Sequence, residues 1–134
     1  AIEKVRILGP VRGRTQVEIL AGDSFKLGIK PTAKLSGDLD GTPGVTIIGP
    51  KGSVQTKEGV MVAQRHIHML PEDAARLGVH DGQNVSLEVD GIRGGVLRNT
   101  IVRVTSQSGL ECHVDTEEAN AMGLSSSSRV RIVQ

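Results

Sequence analysis

With a single aromatic side chain, Phe25, among its 134 residues, this chain must build its core from aliphatic residues. Val and Ile supply much of that apolar complement, and their branched side chains suit the pleated surface of a strand. Seventeen Gly and five Pro add frequent tight turns. Short strands joined by many turns predict a mainly β protein, a small barrel or sandwich rather than a helical bundle. The length allows one compact domain or two small ones, each with a real core.

The same composition narrows the partners. Net charge is +1 with both signs interspersed, so no general field for nucleic acid is expected. The shortage of rings removes the stacking platforms of single-strand binders. Cys112 stands alone, which excludes a disulfide framework and fits a reducing compartment. No apolar run approaches the roughly 18 residues of a membrane span, and no signal peptide opens the chain. The expectation is a soluble, cytoplasmic protein with neither nucleic-acid nor membrane partners.

Along the chain, Ile2, Val5, Ile7 and Leu8 read as a strand from the outset, ended by Gly9-Pro10. Val45 to Ile48 reads as a strand, Gly49-Pro50-Lys51-Gly52 as a turn and Ser53-Val54-Gln55 as the return strand. Ala1-Ile2-Glu3 resembles the residues that follow such a turn, so residue 1 is expected to lie inside a hairpin whose first strand is absent, leaving an open edge. Val11 to Arg14 is a basic loop. In Thr15 to Ile19, alternation puts Gln16 and Glu18 on one face. Residues 21 to 44 hold seven Gly or Pro and read as loop with short strands, densest in turn signals at Ser36 to Gly41.

The strongest chemical signal lies at mid-chain, where an apolar strand, Gly59 to Ala63, leads into Gln64-Arg65-His66-Ile67-His68-Met69. On a strand His66 and His68 share a face, and two imidazoles on one face can chelate a transition metal, zinc above all. His113 follows in a second strand-like stretch, Leu110 to Val114. Three imidazoles with an open fourth position is the pattern of a catalytic zinc. The bland alternative is a chance His-x-His on a polar strand face.

Pro71 to Gly78 reads as a short helix with Pro71 in its first turn, acidic residues at that end and Gly78 closing it, although Leu70 stands where a capping Ser or Asp belongs. Asn84 to Val89 alternates as a strand, and Asp90-Gly91 signals a hairpin into a strand from Thr100 to Val104. Asp115 to Glu118 offers a capping box for a helix through Met122, closed by Gly123. A flexible Ser125 to Ser128 run precedes a last strand, Arg129 to Val133. The order helix, strand, hairpin, strand, helix, strand after residue 68 is similar to that of small double-psi pseudo-barrels. The expected organisation is therefore two small β-barrel units, residues 1–63 forming an incomplete first one and residues 64–134 a double-psi-like second one with short helices.

Four separated motifs carry a resemblance that spans essentially the whole chain. Leu8-Gly9-Pro10-x-Arg12-x-x-Thr15-Gln16-Val17-Glu18-Ile19, Ser36-Gly37-Asp38-Leu39-x-Gly41-x-Pro43-Gly44, Arg65 to Met69, and His113-x-Asp115-Thr116-x-Glu118-Ala119-Asn120-Ala121 resemble the phosphate propanoyltransferases of the propanediol-utilisation type. The resemblance implies acyl transfer between coenzyme A and inorganic phosphate at a two-zinc site between two barrel domains. It makes His66, His68 and His113 ligands of one zinc and Glu18 a ligand of the other. It makes Arg12 the phosphate-binding, catalytic arginine, and it places Arg6 and Asn120 where coenzyme A is contacted. It further implies acyl-CoA, CoA and phosphate as partners, and the lumen of a bacterial microcompartment as one location within the cytoplasm.

Each role has a plainer reading beside it. Arg6 is also an ordinary strand-face charge, Arg12 a solvated loop residue, Glu18 a surface ion-pair partner of Arg12 or Arg14, and Asn120 a helix-surface residue. Ser36 and Asp38 stay open between loop structure and site lining. His80 reads as a turn residue, and Cys112 as a core thiol facing away from His113. The chain departs from the family pattern in two ways. The family carries an N-terminal His-x-His completing the second zinc, which nothing here supplies, and Lys34 stands where an arginine is usual. The resemblance is thus to the C-terminal part of such an enzyme, one metal site complete and the other with one ligand. A missing N-terminal fragment or a second copy of the chain becomes an expected partner. The alternative is a catalytically incomplete zinc- or CoA-binding barrel module or assembly partner; a third reading is a metal-dependent hydrolase.

Overall fold

A computed structural model describes residues 1–30 and 32–133. The chain divides into two compact units, Ala1–Ala63 and Gln64–Gln134, and its described residues are mainly β, with three short helices.

The first unit is organised around β5 (Val60–Ala63), whose Val60 and Met61 are almost fully buried. Two-residue strands β1 (Val17–Glu18) and β2 (Ala33–Lys34) flank it, both parallel. Val17 N–H donates to the Gly59 carbonyl at 2.8 Å and Ile19 N–H to that of Met61 at 2.9 Å. This close pairing depends on Gly59. Its φ is +115°, and a Cβ there would lie 2.3 Å from the Thr15 carbonyl oxygen, so no other residue fits without moving the Thr15–Gln16 backbone. Buried Thr42 bridges the same region, accepting from Gly59 N–H and donating to the Leu39 carbonyl.

Strands β3 (Thr46–Gly49) and β4 (Gly52–Gln55) form the antiparallel hairpin expected from the Gly49 to Gly52 turn. Two readings are corrected. Ile2, Val5, Ile7 and Leu8 form no strand: Lys4 takes φ +56° and these residues pair with no ladder among the described residues. Apolar spacing alone makes no strand, because extended backbone needs a partner for its N–H and C=O groups; Ile7 and Leu8 are left exposed. Within the loop-like stretch from 21 to 44 there is also a helix, α1 (Asp23–Leu27), closed by Gly28 in the left-handed conformation. The only aromatic residue, Phe25, sits exposed on it.

The second unit is a five-stranded sheet in the order β10-β7-β8-β6-β9, with β6 (His66–Met69), β7 (Asn84–Val89), β8 (Gly95–Val104), β9 (Glu111–His113) and β10 (Arg131–Val133). Helix α2 (Pro71–Leu77) follows β6, has Leu70 at its N-cap without a side-chain bond, and ends at left-handed Gly78. Helix α3 (Thr116–Met122) starts on the expected capping box: Glu118 N–H donates to Asp115 Oδ1 at 2.7 Å, and Asp115 N–H reaches Glu118 Oε2 at 3.4 Å. The hairpin from Asp90 returns earlier than expected, since β8 opens at Gly95 and runs ten residues past a register shift opposite Val85 to Leu87. The core is aliphatic, as composition requires: Ile67, Met69, Val85, Leu87 and Val102 are almost fully enclosed. Within the run from Ser125 to Ser128, Ser125 bonds to Ser127 and Ser128 around a turn.

Candidate metal centre

The His face of β6 is set by its alternation. Ile67 and Met69 go into the core, so His66 and His68 share the opposite, half-buried face. The third imidazole arrives through register. β9 lies antiparallel to β6 with His66 opposite His113, Ile67 opposite Cys112 and His68 opposite Glu111. Directly opposed residues share a face, so His113 joins the two imidazoles while Cys112 packs toward the core. Burial raises the Cys112 pKa, with the Glu118 charge adding to it, which keeps a neutral thiol.

The three ring centroids form a near-equilateral triangle with sides of 4.8, 4.9 and 4.8 Å. One ligating nitrogen from each lies within 4.8 Å of the others. His66 Nε2 and His68 Nε2 are 3.1 Å apart. Nitrogens on one tetrahedral zinc at about 2.0–2.1 Å stand about 3.3 Å apart, so the pair has nearly the required bite. Surrounding groups orient the rings. His66 Nδ1 donates to the Gln64 carbonyl at 2.9 Å; a carbonyl only accepts, which puts the ring proton on Nδ1 and the lone pair on Nε2. Ser108 Oγ lies 3.3 Å from His68 Nδ1, leaving its Nε2 to the cluster. Burial lowers the His68 pKa, reinforced by His66, His113 and Arg103 and opposed by Glu111. A lowered pKa favours the neutral imidazole that a metal requires. Three imidazole donors, the His66–His68 bite and the His66 tautomer are compatible with a zinc ion, which would draw the third ligand in from its separation of up to 4.8 Å. Among the described residues this is the one group of three or more His, Cys, Asp or Glu side chains able to hold a metal.

Pairings that sequence reading did not supply tie these elements together. Arg65, next to His66, donates through Nε to Glu118 Oε1 at 2.7 Å and through Nη1 to the Arg98 carbonyl at 2.7 Å. The ion pair is largely shielded and ties α3 to the start of β6. Glu111 Oε2 approaches His113 Nε2 at 3.4 Å. The signals were present in the Arg-His-Ile-His run and the capping-box Glu, but they lie 53 residues apart.

The other expected site residues divide between the units. In the first, Arg12 is exposed and donates to Ser36 Oγ at 3.0 Å. Glu18 accepts from Gln16 Nε2 at 2.8 Å, so its ion-pair reading is set aside. Arg14 bonds Glu58 and Asp40 instead, and those carboxylates raise its pKa. Arg6 is exposed. Lys34 pairs with Asp38 at 3.2 Å. In the second unit, Asn120 is exposed on α3, and His80 stays within its own turn, its Nδ1 3.1 Å from the Asp81 carbonyl and its N–H donating to Gln83 Oε1.

A family model described as phosphate propanoyltransferase matches residues 1–125. The chain belongs to the phosphate propanoyltransferase family. It is 55% identical over 131 residues to a phosphate propanoyltransferase of Rhodobacter capsulatus, covering 98% of this chain and 61% of that protein. It is 53% identical over 132 residues to one of Rhodopseudomonas palustris, covering 98% and 58%. A Thermotoga maritima phosphate propanoyltransferase is 50% identical over 135 residues, covering 100% and 64%. The chain thus spans about three fifths of the length of these curated relatives. No helix among the described residues is long and apolar enough to cross a membrane.

Proposed function

We propose that this chain carries the phosphate- and metal-binding part of a phosphate acyltransferase, interconverting a short-chain acyl-CoA such as propanoyl-CoA plus phosphate with acyl phosphate plus coenzyme A. The three-imidazole triangle, in a chain of this family, carries the reading. A phosphate oxygen attacks the thioester carbonyl carbon, the carbon–sulfur bond breaks, and the thiolate leaves as coenzyme A. Zinc held by His66, His68 and His113 would supply Lewis-acid polarisation of the carbonyl. Arg12 grips phosphate through its fork of N–H donors, a charge-assisted and positional contribution. Glu18 is assigned to a second zinc, and Arg6 and Asn120 to coenzyme A.

The proposed architecture is two barrel units, 1–63 and 64–134, the second double-psi-like. The proposed setting is the cytoplasm, including a microcompartment lumen, with a second copy or further family segment as protein partner. Arg12→Ala in the full-length protein tests the central role: the Michaelis constant for phosphate rises and turnover falls. Wild-type values for both would overturn it.

A second reading follows from the one group able to hold a metal among the described residues. Here the chain is a non-catalytic zinc- or CoA-binding module or an assembly partner. Metal content measured together with acyl phosphate formation separates the two. One tightly held zinc without turnover favours the module, and acyl-CoA loss without phosphate dependence points to a hydrolase.

A further inference from the structure

We infer that Gln16 is the positioning residue that locks the phosphate-gripping arginine and the Glu18 carboxylate into one rigid arrangement; the inference rests on the roles proposed above for Arg12 and Glu18. Gln16 is half-buried just before β1, and its amide is fully engaged. Gly37 N–H donates to Oε1 at 2.8 Å, which fixes the orientation of the amide. Nε2 then donates in two directions, to Glu18 Oε1 at 2.8 Å and to Ser36 Oγ at 3.1 Å. Ser36 Oγ in turn accepts from Arg12 Nη1 at 3.0 Å.

One side chain therefore joins three separate segments: the basic loop, the β1 face and the turn at Ser36-Gly37. Only an amide of this length offers one acceptor and two donors at that point. A carboxylate would meet Glu18 with like charge, and an apolar chain would release both Ser36 and Glu18. Arg12 is exposed and long, so without Ser36 held in place its guanidinium samples many rotamers and phosphate binding must order it.

The test uses Gln16→Met and Gln16→Glu in the full-length protein, with steady-state kinetics, phosphate titration by calorimetry and a melting curve. The expected result for Gln16→Met is a phosphate KM and dissociation constant raised about tenfold, with the acyl-CoA KM and the melting temperature near wild type. Gln16→Glu, which keeps the shape, loses at least as much. Full retention of phosphate affinity by Gln16→Glu would mean that shape alone matters and would overturn the inference, as would equal losses toward both substrates.

Ser36→Ala supplies the second route. If Gln16 acts on Arg12 through Ser36, the double variant Gln16→Met/Ser36→Ala is no worse for phosphate than the poorer single one; additive losses sink the relay. Arg12→Ala separates the layers. Unchanged phosphate affinity in that variant refutes the phosphate role itself. A large loss there with a silent Gln16→Met refutes only the role of Gln16.

Discussion

Gly59→Ala offers a quantitative check on how the first unit holds the segment that carries Gln16. Two costs combine at this position. A left-handed backbone angle costs an L-residue about 1–2 kcal/mol. The added methyl also meets the Thr15 carbonyl oxygen at 2.3 Å, a contact with backbone that no rotamer change relieves, and forced repacking costs typically about 1–3 kcal/mol. The sum is about 2–5 kcal/mol. Gly41→Ala is the control, since Gly41 also has positive φ (+76°) but has nothing within 4 Å of an added Cβ; it should lose only the first share, about 1–2 kcal/mol. Urea unfolding of both variants, read as the midpoint shift at constant slope, gives the difference. On the proposed roles of Gln16 and Arg12, the backbone shift also raises the phosphate Michaelis constant of the full-length protein carrying Gly59→Ala, because Thr15 precedes Gln16. Equal destabilisation of the two variants would refute the close-approach argument.

Three further outcomes follow from the second unit. His113→Ala removes one corner of the triangle and should weaken zinc binding by at least the roughly 10–100-fold that lost outer partners cost, measured by competition with a chromophoric chelator; unchanged affinity excludes His113 as a ligand. Asp115→Ala breaks the capping box of α3 and should cost about 1 kcal/mol, seen in thermal or urea melts, whereas no loss would mean that the Arg65–Glu118 pair alone fixes the helix start. Burial holds the Cys112 proton above the ordinary thiol value of 9.0. The folded state therefore keeps that proton longer than the unfolded chain, its contribution is full below about pH 9 and declines above it, and alkylation of Cys112 at pH 8 should be much slower than in urea.

Sequence reading succeeded where the signal was local and periodic. His66-Ile67-His68-Met69 alternates once per residue, so the shared His face could be read directly. Asp115 and Glu118 form their cap within one turn. The turn at Gly49 to Gly52 likewise named its own hairpin. Reading failed where structure depends on a distant partner. Ile2 to Leu8 has strand composition, but a strand needs a neighbour, and the described residues give it none. α1 spans five residues among Gly and Pro, too few for a visible period, and Gly22 at its N-cap is not one of the Ser, Thr, Asp or Asn residues that mark a helix start. The pairing of His66 with His113, the Arg65–Glu118 bridge and the Gln16 hub all join segments far apart in the chain. The resemblance named the histidines, but only register shows why they converge.

That register has a mechanical consequence. Among the described residues β9 is the outermost strand on its side of the sheet and holds only three residues against β6. Slipping by one position would turn His113 inward and swing Cys112 out to replace it. An ion bound to both strands would act as a rivet against that slip, so stripping it should fray this margin of the sheet first, visible as faster amide exchange from Glu111 to His113 while the strands further in stay protected.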